Sequence, residues 1–238
     1  MYGGQYPAPA PVVPASPGAV YGHSSGSGVR RLGAGVGLAV LVLVLGLLAR
    51  TGLVTGADTS IDRLVAHVRN PLFTPLAKLL TLVMTPEVWA VLAVVGAVVL
   101  FLLRRRGQAL RVFCVMIGST GVVFVTKSLI DEHRPPKSLW VVPPDSAGSF
   151  PSGHTMAAAA VALCALILVP PAAQRAVRIA GTAFVVVVAY ARVYLGVHYL
   201  FDVVGSVLAV AATAVFLSGL SLLPPARRWL LALDNAGR

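Results

Sequence analysis

Charge is scarce in this chain, and acidic charge scarcer still. Only 8 Asp and Glu stand against 19 Lys and Arg in 238 residues, and charged residues together make up 11%. A soluble domain usually carries about 25% charged residues and about 45–50% apolar ones. Here the apolar share is 57% and the mean hydropathy +0.85, which excludes an ordinary water-soluble globule. Cysteine is nearly absent. Cys114 and Cys164 both fall inside apolar runs, where they read as small buried hydrophobes and not as a disulfide or metal pair. No Cys/His cluster suggests zinc. The apolar runs also lack the strict alternation of barrel strands, so the expected class is all-α: a polytopic membrane helix bundle. The formal net charge of +11 would raise the question of nucleic acid on a soluble protein. Most of these basic residues lie at the ends of apolar runs, which is a topology signal, and nucleic acid is not expected as a partner.

Residues 1–29 are rich in Pro, Gly, Ser, Ala and Tyr, with no charge before Arg30. They are expected to form a disordered cytoplasmic tail, and they do not read as a signal peptide. A membrane domain is expected over residues 30–223 and a short cytoplasmic tail over 224–238. Six spans are expected, at about Leu32–Ala49, Val88–Leu103, Val112–Ile130, His154–Val169, Ile179–Tyr194 and His198–Leu223. Two shorter pieces fit interfacial helices: the amphipathic Ile61–Val68, and Pro71–Met84, which is too short to cross comfortably. Prolines 135, 136, 143, 144 and 151 keep residues 131–153 from regular helix. With six spans and the N-terminus inside, 11 basic residues fall on the inner side and the remaining 8 of the 19 on the outer side. That orientation places both termini in the cytoplasm of a plasma (inner) membrane protein.

Three islands of polar residues interrupt the apolar sequence, and this orientation puts all three on the extracytoplasmic side. The first runs from Lys127 to Pro135 and contains Arg134. The second is Pro151-Ser152-Gly153-His154. The third runs from Arg192 to Asp202 and contains His198. A single Lys or Arg at the end of a span is often only an interfacial anchor. Three cations at one depth beside two histidines point instead to an anion site, since guanidinium matches phosphate oxygens bidentately and Lys adds a point charge. A Ser-Gly pair at a helix start can present backbone N–H groups to an anion, although a bare Pro-Ser-Gly-His is also an ordinary helix cap. His198 and Asp202 are four residues apart, on one face of a helix if the sixth span starts there. A lone pair of this kind could be purely structural. Beside the cations it fits an imidazole whose tautomer a carboxylate fixes, leaving the other ring nitrogen as a nucleophile. His154 fits a general acid and base. His133 reads as loop or substrate rim and His67 as structural. Asp131, Glu132 and Asp145 read as balancing the local cations, because negative charge on a catalytic group would repel phosphate.

In spacing and content the islands resemble the three motifs of the type 2 phosphatidic acid phosphatase superfamily, which includes lipid phosphatases and vanadium haloperoxidases. That family's first motif, Lys and Arg-Pro separated by six residues, matches Lys127 and Arg134-Pro135. Its second, Pro-Ser-Gly-His, is present unchanged at residues 151–154. Its third, Ser-Arg, then His, then Asp, matches Arg192, His198 and Asp202 but has Ala191 in the serine position. The resemblance covers about residues 88–223. It implies that Lys127, Arg134, Arg192, Ser152 and Gly153 hold the phosphate, that His198 attacks phosphorus, that Asp202 orients His198 and that His154 serves the leaving group. It also implies no metal and no cofactor, consistent with the lack of a carboxylate cluster suited to magnesium in the sequence.

The expectation is a bacterial membrane enzyme that hydrolyses a lipid phosphate or diphosphate through a phosphohistidine, with undecaprenyl diphosphate as the leading substrate. Phosphatidic acid, phosphatidylglycerol phosphate and a polyprenyl-phosphosugar phosphate are the rival substrates. From other classes, a transporter would be expected to show internal repeats and spans broken at the midplane. A non-catalytic membrane protein of this kind would be expected to lack His154 or His198.

Overall fold

The computed structural model describes residues 17–235; among them every regular element is helical. The tail expected over 1–29 lies outside the described residues as far as residue 16, and from Pro17 onward the chain already belongs to α1 (Pro17–Arg50). Then follow α2 (Thr55–His67), α3 (Phe73–Val83), α4 (Pro86–Leu102) and α5 (Arg106–Ile130). After the proline-rich loop come α6 (Gly153–Leu168), α7 (Gln174–Tyr194), α8 (Leu200–Leu220) and α9 (Pro224–Asn235). The last of these replaces part of the expected C-terminal tail with an amphipathic helix.

A helix stands at each of the six expected spans, but they are not equally long. Four stretches are long and apolar enough to cross a membrane: Gly26–Arg50, Arg106–Ile130, Pro171–Tyr194 and Leu200–Leu220. A fifth crossing arises if α3 and α4, bent by 49° at their break, act together. The half-inserted helix expected at Pro71–Met84 is therefore one limb of a bent pair. By length and composition four or five crossings qualify, and a sixth is not shown. The reason is α6, whose 16 residues extend only about 24 Å at 1.5 Å per residue, short of a hydrocarbon core about 30 Å thick.

The core is built where α1, α5, α6 and α8 meet, around Val42, Met116, Phe150, Met156 and Ala209. Small residues bring α1 and α8 together: a Cβ on Gly35 would stand 2.7 Å from the Phe216 backbone nitrogen, and one on Gly219 would stand 2.7 Å from that of Leu32. Such close approach is how membrane helices gain packing energy without a hydrophobic drive between them. A second cluster joins Ala77 of α3 to Ala191, Tyr194, Leu195 and Val197 at the end of α7. Cys164 is buried and Cys114 partly so, and neither is in a disulfide. An apolar cavity of about 530 Å³ lies beneath Trp229 of α9, lined by α5, α6 and α8.

The turn between α7 and α8 sets the geometry of the site. Gly196 has φ +72° and a Cβ there would run into the Leu139 carbonyl, so only glycine fits. Arg69 clamps the same corner, donating from Nε to the Tyr194 carbonyl at 2.8 Å and from Nη2 to the Leu139 carbonyl at 2.7 Å. Sequence alone reads Arg69 as one more outer cation; the fold uses it to fasten the proline-rich loop to the end of α7.

Candidate active site

All eight residues singled out from the sequence converge on one end of the bundle, at the C-termini of α5 and α7 and the N-termini of α6 and α8. His198 is 2% exposed and Asp202 fully buried. The His198 Nδ1 lies 3.0 Å from Asp202 Oδ2. The same oxygen accepts from the Tyr199 backbone N–H at 2.9 Å and from Ser149 Oγ at 2.5 Å. Three donors on one oxygen hold the negative charge in place and fix the imidazole with its proton on Nδ1. The bond from Asp202 to Tyr199 N–H also closes the start of α8, in the manner of a capping-box carboxylate.

The opposite ring nitrogen is the chemically open one. His198 Nε2 lies 3.3 Å from Arg134 Nη1. Arg134 is fixed through Nε to the Ser146 carbonyl at 2.8 Å, through Nη2 to Ser146 Oγ at 3.0 Å, and through Nη1 to the Val197 carbonyl. Lys127 Nζ donates to the Gly148 carbonyl at 2.7 Å and to the Ser149 carbonyl at 3.3 Å. The proline-rich loop therefore supplies the carbonyls that aim both cations. Burial holds the His198 imidazole well below its ordinary 6.5, and the positive charges of Arg192, Arg134 and Lys127 act in the same direction. Burial likewise lowers the Arg134 guanidinium, opposed by Asp202 and Asp145.

Arg192 is 1% exposed. Its Nη1 donates to Thr81 Oγ1 at 3.0 Å and its Nη2 to Asp145 Oδ2 at 2.9 Å, while its Nε is buried without a hydrogen-bond partner. A buried guanidinium with an unused N–H suits an anion. His154, 3% exposed, has Nδ1 3.7 Å from the same Asp145 oxygen, with the Thr81 backbone beside its ring. Thr81, on α3, was invisible to sequence reasoning because no motif contains it. Ser149 was missed for the same reason.

The second island differs from expectation in detail. Ser152 is fully buried, and its Oγ accepts from Thr155 Oγ1 at 3.2 Å and from Thr155 N–H at 3.5 Å, so it caps α6. Gly153 opens that helix, and a Cβ there would stand 2.9 Å from Pro86 Cγ, so its small size also admits the start of α4. Ser206 Oγ donates to the Ser152 and Asp202 carbonyls, each at 2.8 Å, locking the two helix starts together. Of the acids expected to balance cations, Asp145 does so. Glu132, 4% exposed, lies near Lys127 but faces the Asp202 carboxyl. His133 is exposed and His67 Nδ1 bonds to the Arg63 carbonyl at 2.6 Å. Ala191 packs at 1% exposure in the apolar cluster around Tyr194.

Known proteins resemble this chain in sequence and fold. The PAP2 superfamily matches residues 108–222. Phosphatidylglycerophosphatase B of Bacillus subtilis (strain 168) is 30% identical over 176 residues, spanning 71% of this chain and 86% of that protein. The chain belongs to the PAP2 superfamily. Its fold matches the crystal structure of a transmembrane PAP2-type phosphatidylglycerolphosphate phosphatase from Bacillus subtilis, with TM-score 0.65 and 27% identity, over 78% of this chain and 93% of that one. The fold of Aquifex aeolicus LpxE also matches, with TM-score 0.55 and 22% identity, over 68% of this chain and 95% of that one. This PAP2 protein is a membrane lipid phosphatase, as the sequence motifs implied.

Proposed function

We propose that this PAP2 enzyme removes phosphate from a lipid phosphate by way of a phosphohistidine on His198, without a metal. The observation that carries the reading is the His198 ring: Nδ1 is tied to Asp202 at 3.0 Å, and Nε2 is turned toward a cation 3.3 Å away. Nε2 attacks phosphorus in line, and the bond from phosphorus to the lipid oxygen breaks. Arg134, Arg192 and Lys127 take up charge on the transferring oxygens, with the first N–H groups of α6 beside them. The dianion brought in by the substrate favours the protonated form of His154, which passes its proton to the departing oxygen. His154 then takes a proton from water. The hydroxide attacks phosphorus, the P–N bond breaks, and phosphate and neutral His198 are released. Asp202 stabilises the imidazolium character of His198 throughout.

The substrate is most simply phosphatidylglycerol phosphate, which the Bacillus relatives' names specify for those proteins. Undecaprenyl diphosphate, the leading expectation from sequence, has no support of that kind and is the competing substrate. The six-span arrangement, with both termini cytoplasmic and the site extracytoplasmic in a bacterial inner membrane, rests on the distribution of basic residues. Phosphate release by the purified protein in detergent, with EDTA present, compares the two lipids directly. Faster release from phosphatidylglycerol phosphate is expected. Release from undecaprenyl diphosphate alone would overturn the substrate assignment, and dependence on an added divalent ion would overturn the metal-free mechanism.

A further inference from the structure

Behind the His198–Asp202 pair lies a group of buried carboxyls that the mechanism does not use. Glu132 and Asp58 are each 4% exposed and Asp62 is fully buried, as is Asp202 beside them. Among the described residues no group of His, Cys, Asp or Glu is arranged to hold a metal ion. The oxygens Glu132 Oε2 and Asp202 Oδ1 are both buried, and neither meets an N–H or O–H donor from any other residue. The two carboxyls are nevertheless within hydrogen-bonding reach of each other.

Two facing carboxyl oxygens attract only if one carries a proton. The surroundings decide which. Asp202 Oδ2 already accepts from Ser149, Tyr199 and His198, so the negative charge belongs on Asp202. We propose that Glu132 is a neutral carboxylic acid that donates its hydrogen bond to Asp202 Oδ1, and that it is thereby a positioning residue for the nucleophile. This rests on the reading of His198 as that nucleophile. Glu132 keeps Asp202 from rotating its orphaned oxygen toward another donor, and so keeps Oδ2 on His198 Nδ1.

The groups around Glu132 agree. Burial pushes its carboxyl up from the usual range, and Asp202 of α8 and Asp58 of α2 push the same way; Lys127 of α5 is the cation that opposes them. Tyr199 also lies near it, with Thr59 beside its side chain. On α2, burial raises Asp58 to about 6 and Asp62 to about 7, the latter with Arg69 pulling down. Four carboxyls in one buried region cannot all ionise, and Glu132 is the one in contact with Asp202.

The test uses Glu132→Gln and Glu132→Leu in the full chain, with phosphatidylglycerol phosphate as the substrate probe. The Gln amide N–H replaces the acid O–H, so kcat is expected to stay within about twofold of wild type, whereas Leu is expected to lower kcat by about tenfold or more with KM little changed. The alkaline limb of the wild-type kcat profile, where Glu132 loses its proton, should disappear in Glu132→Gln. The infrared difference spectrum, wild type minus Glu132→Gln, should contain the carbonyl stretch of a protonated carboxylic acid. This spectrum needs no substrate and no activity, so it stands even if His198 is not the nucleophile. Absence of that band overturns the proposal, as does a Glu132→Gln enzyme as slow as Glu132→Leu. Should Glu132→Leu fail to fold, the infrared band and the rate of Glu132→Gln still decide.

Discussion

Asp145 sets its carboxylate between Arg192 and His154, the two groups proposed to meet the phosphate, with Oδ2 2.9 Å from Arg192 Nη2 and 3.7 Å from His154 Nδ1. A carboxylate oxygen there stands where a phosphate oxygen would have to go. Its side chain is 53% exposed, and it sits on the loop after Pro143 and Pro144, so the substrate has only to displace a carboxylate that is open to water, while its partners stay buried.

Asp145 therefore competes with phosphate. Asp145→Ala is expected to bind inorganic phosphate more tightly, by about twofold to fivefold, the range for an ion pair screened by water on one side. The inhibition constant of phosphate against lipid hydrolysis measures this. An unchanged or weaker inhibition would mean that Asp145 moves aside at no cost, or that it helps to hold the ligand.

Asp202 works through the tautomer of His198. Asp202→Asn keeps the shape but presents an amide to Nδ1 and removes the charge that stabilises the imidazolium. The expected outcome is a fall in kcat of about 10²-fold or more with little change in KM. A rise in KM at constant kcat would instead assign Asp202 to substrate binding.

The nucleophile must be neutral to attack. Because burial and three nearby cations hold His198 well below 6.5, it stays neutral on going from neutral to mildly acidic pH. The acid limb of the phosphorylation step due to His198 is expected below pH 6.5, the ordinary value for the imidazole. The substrate phosphate titrates nearby, at about pH 6. Single-turnover profiles with two leaving groups of different phosphate acidity separate the two, since the limb that does not move belongs to the enzyme. An enzyme limb at or above 6.5 would contradict the geometry.

The motif residues were legible in the sequence because each carries charge or an imidazole into an apolar background. Lys127, Arg134, Arg192, His154, His198 and Asp202 stood out for that reason, and the fold brings them together. What supports them was not legible. Thr81, Ser149 and Ser146 are small polar residues on a helix and a proline-rich loop, and nothing local marks them. Ser152 was read as a phosphate donor, and the sequence did not show that its oxygen also accepts from Thr155 to cap α6. Glu132 was read as a counter-charge, since a sequence shows its sign but not that it faces Asp202. The span count was legible only in part, because apolar runs reveal where helices lie but not the angle at which α3 and α4 meet or how short α6 is.

The central claim is a covalent phosphohistidine at His198. Rapid acid-free quenching of the enzyme with phosphate-labelled phosphatidylglycerol phosphate, followed by proteolysis and mass spectrometry, tests it most directly. The account predicts an acid-labile, base-stable phosphoryl group on the peptide carrying His198. It also predicts its loss in His198→Ala, together with a fall in lipid hydrolysis of about 10³-fold or more. Hydrolysis by His198→Ala at the wild-type rate, or label trapped on His154 instead, would contradict it.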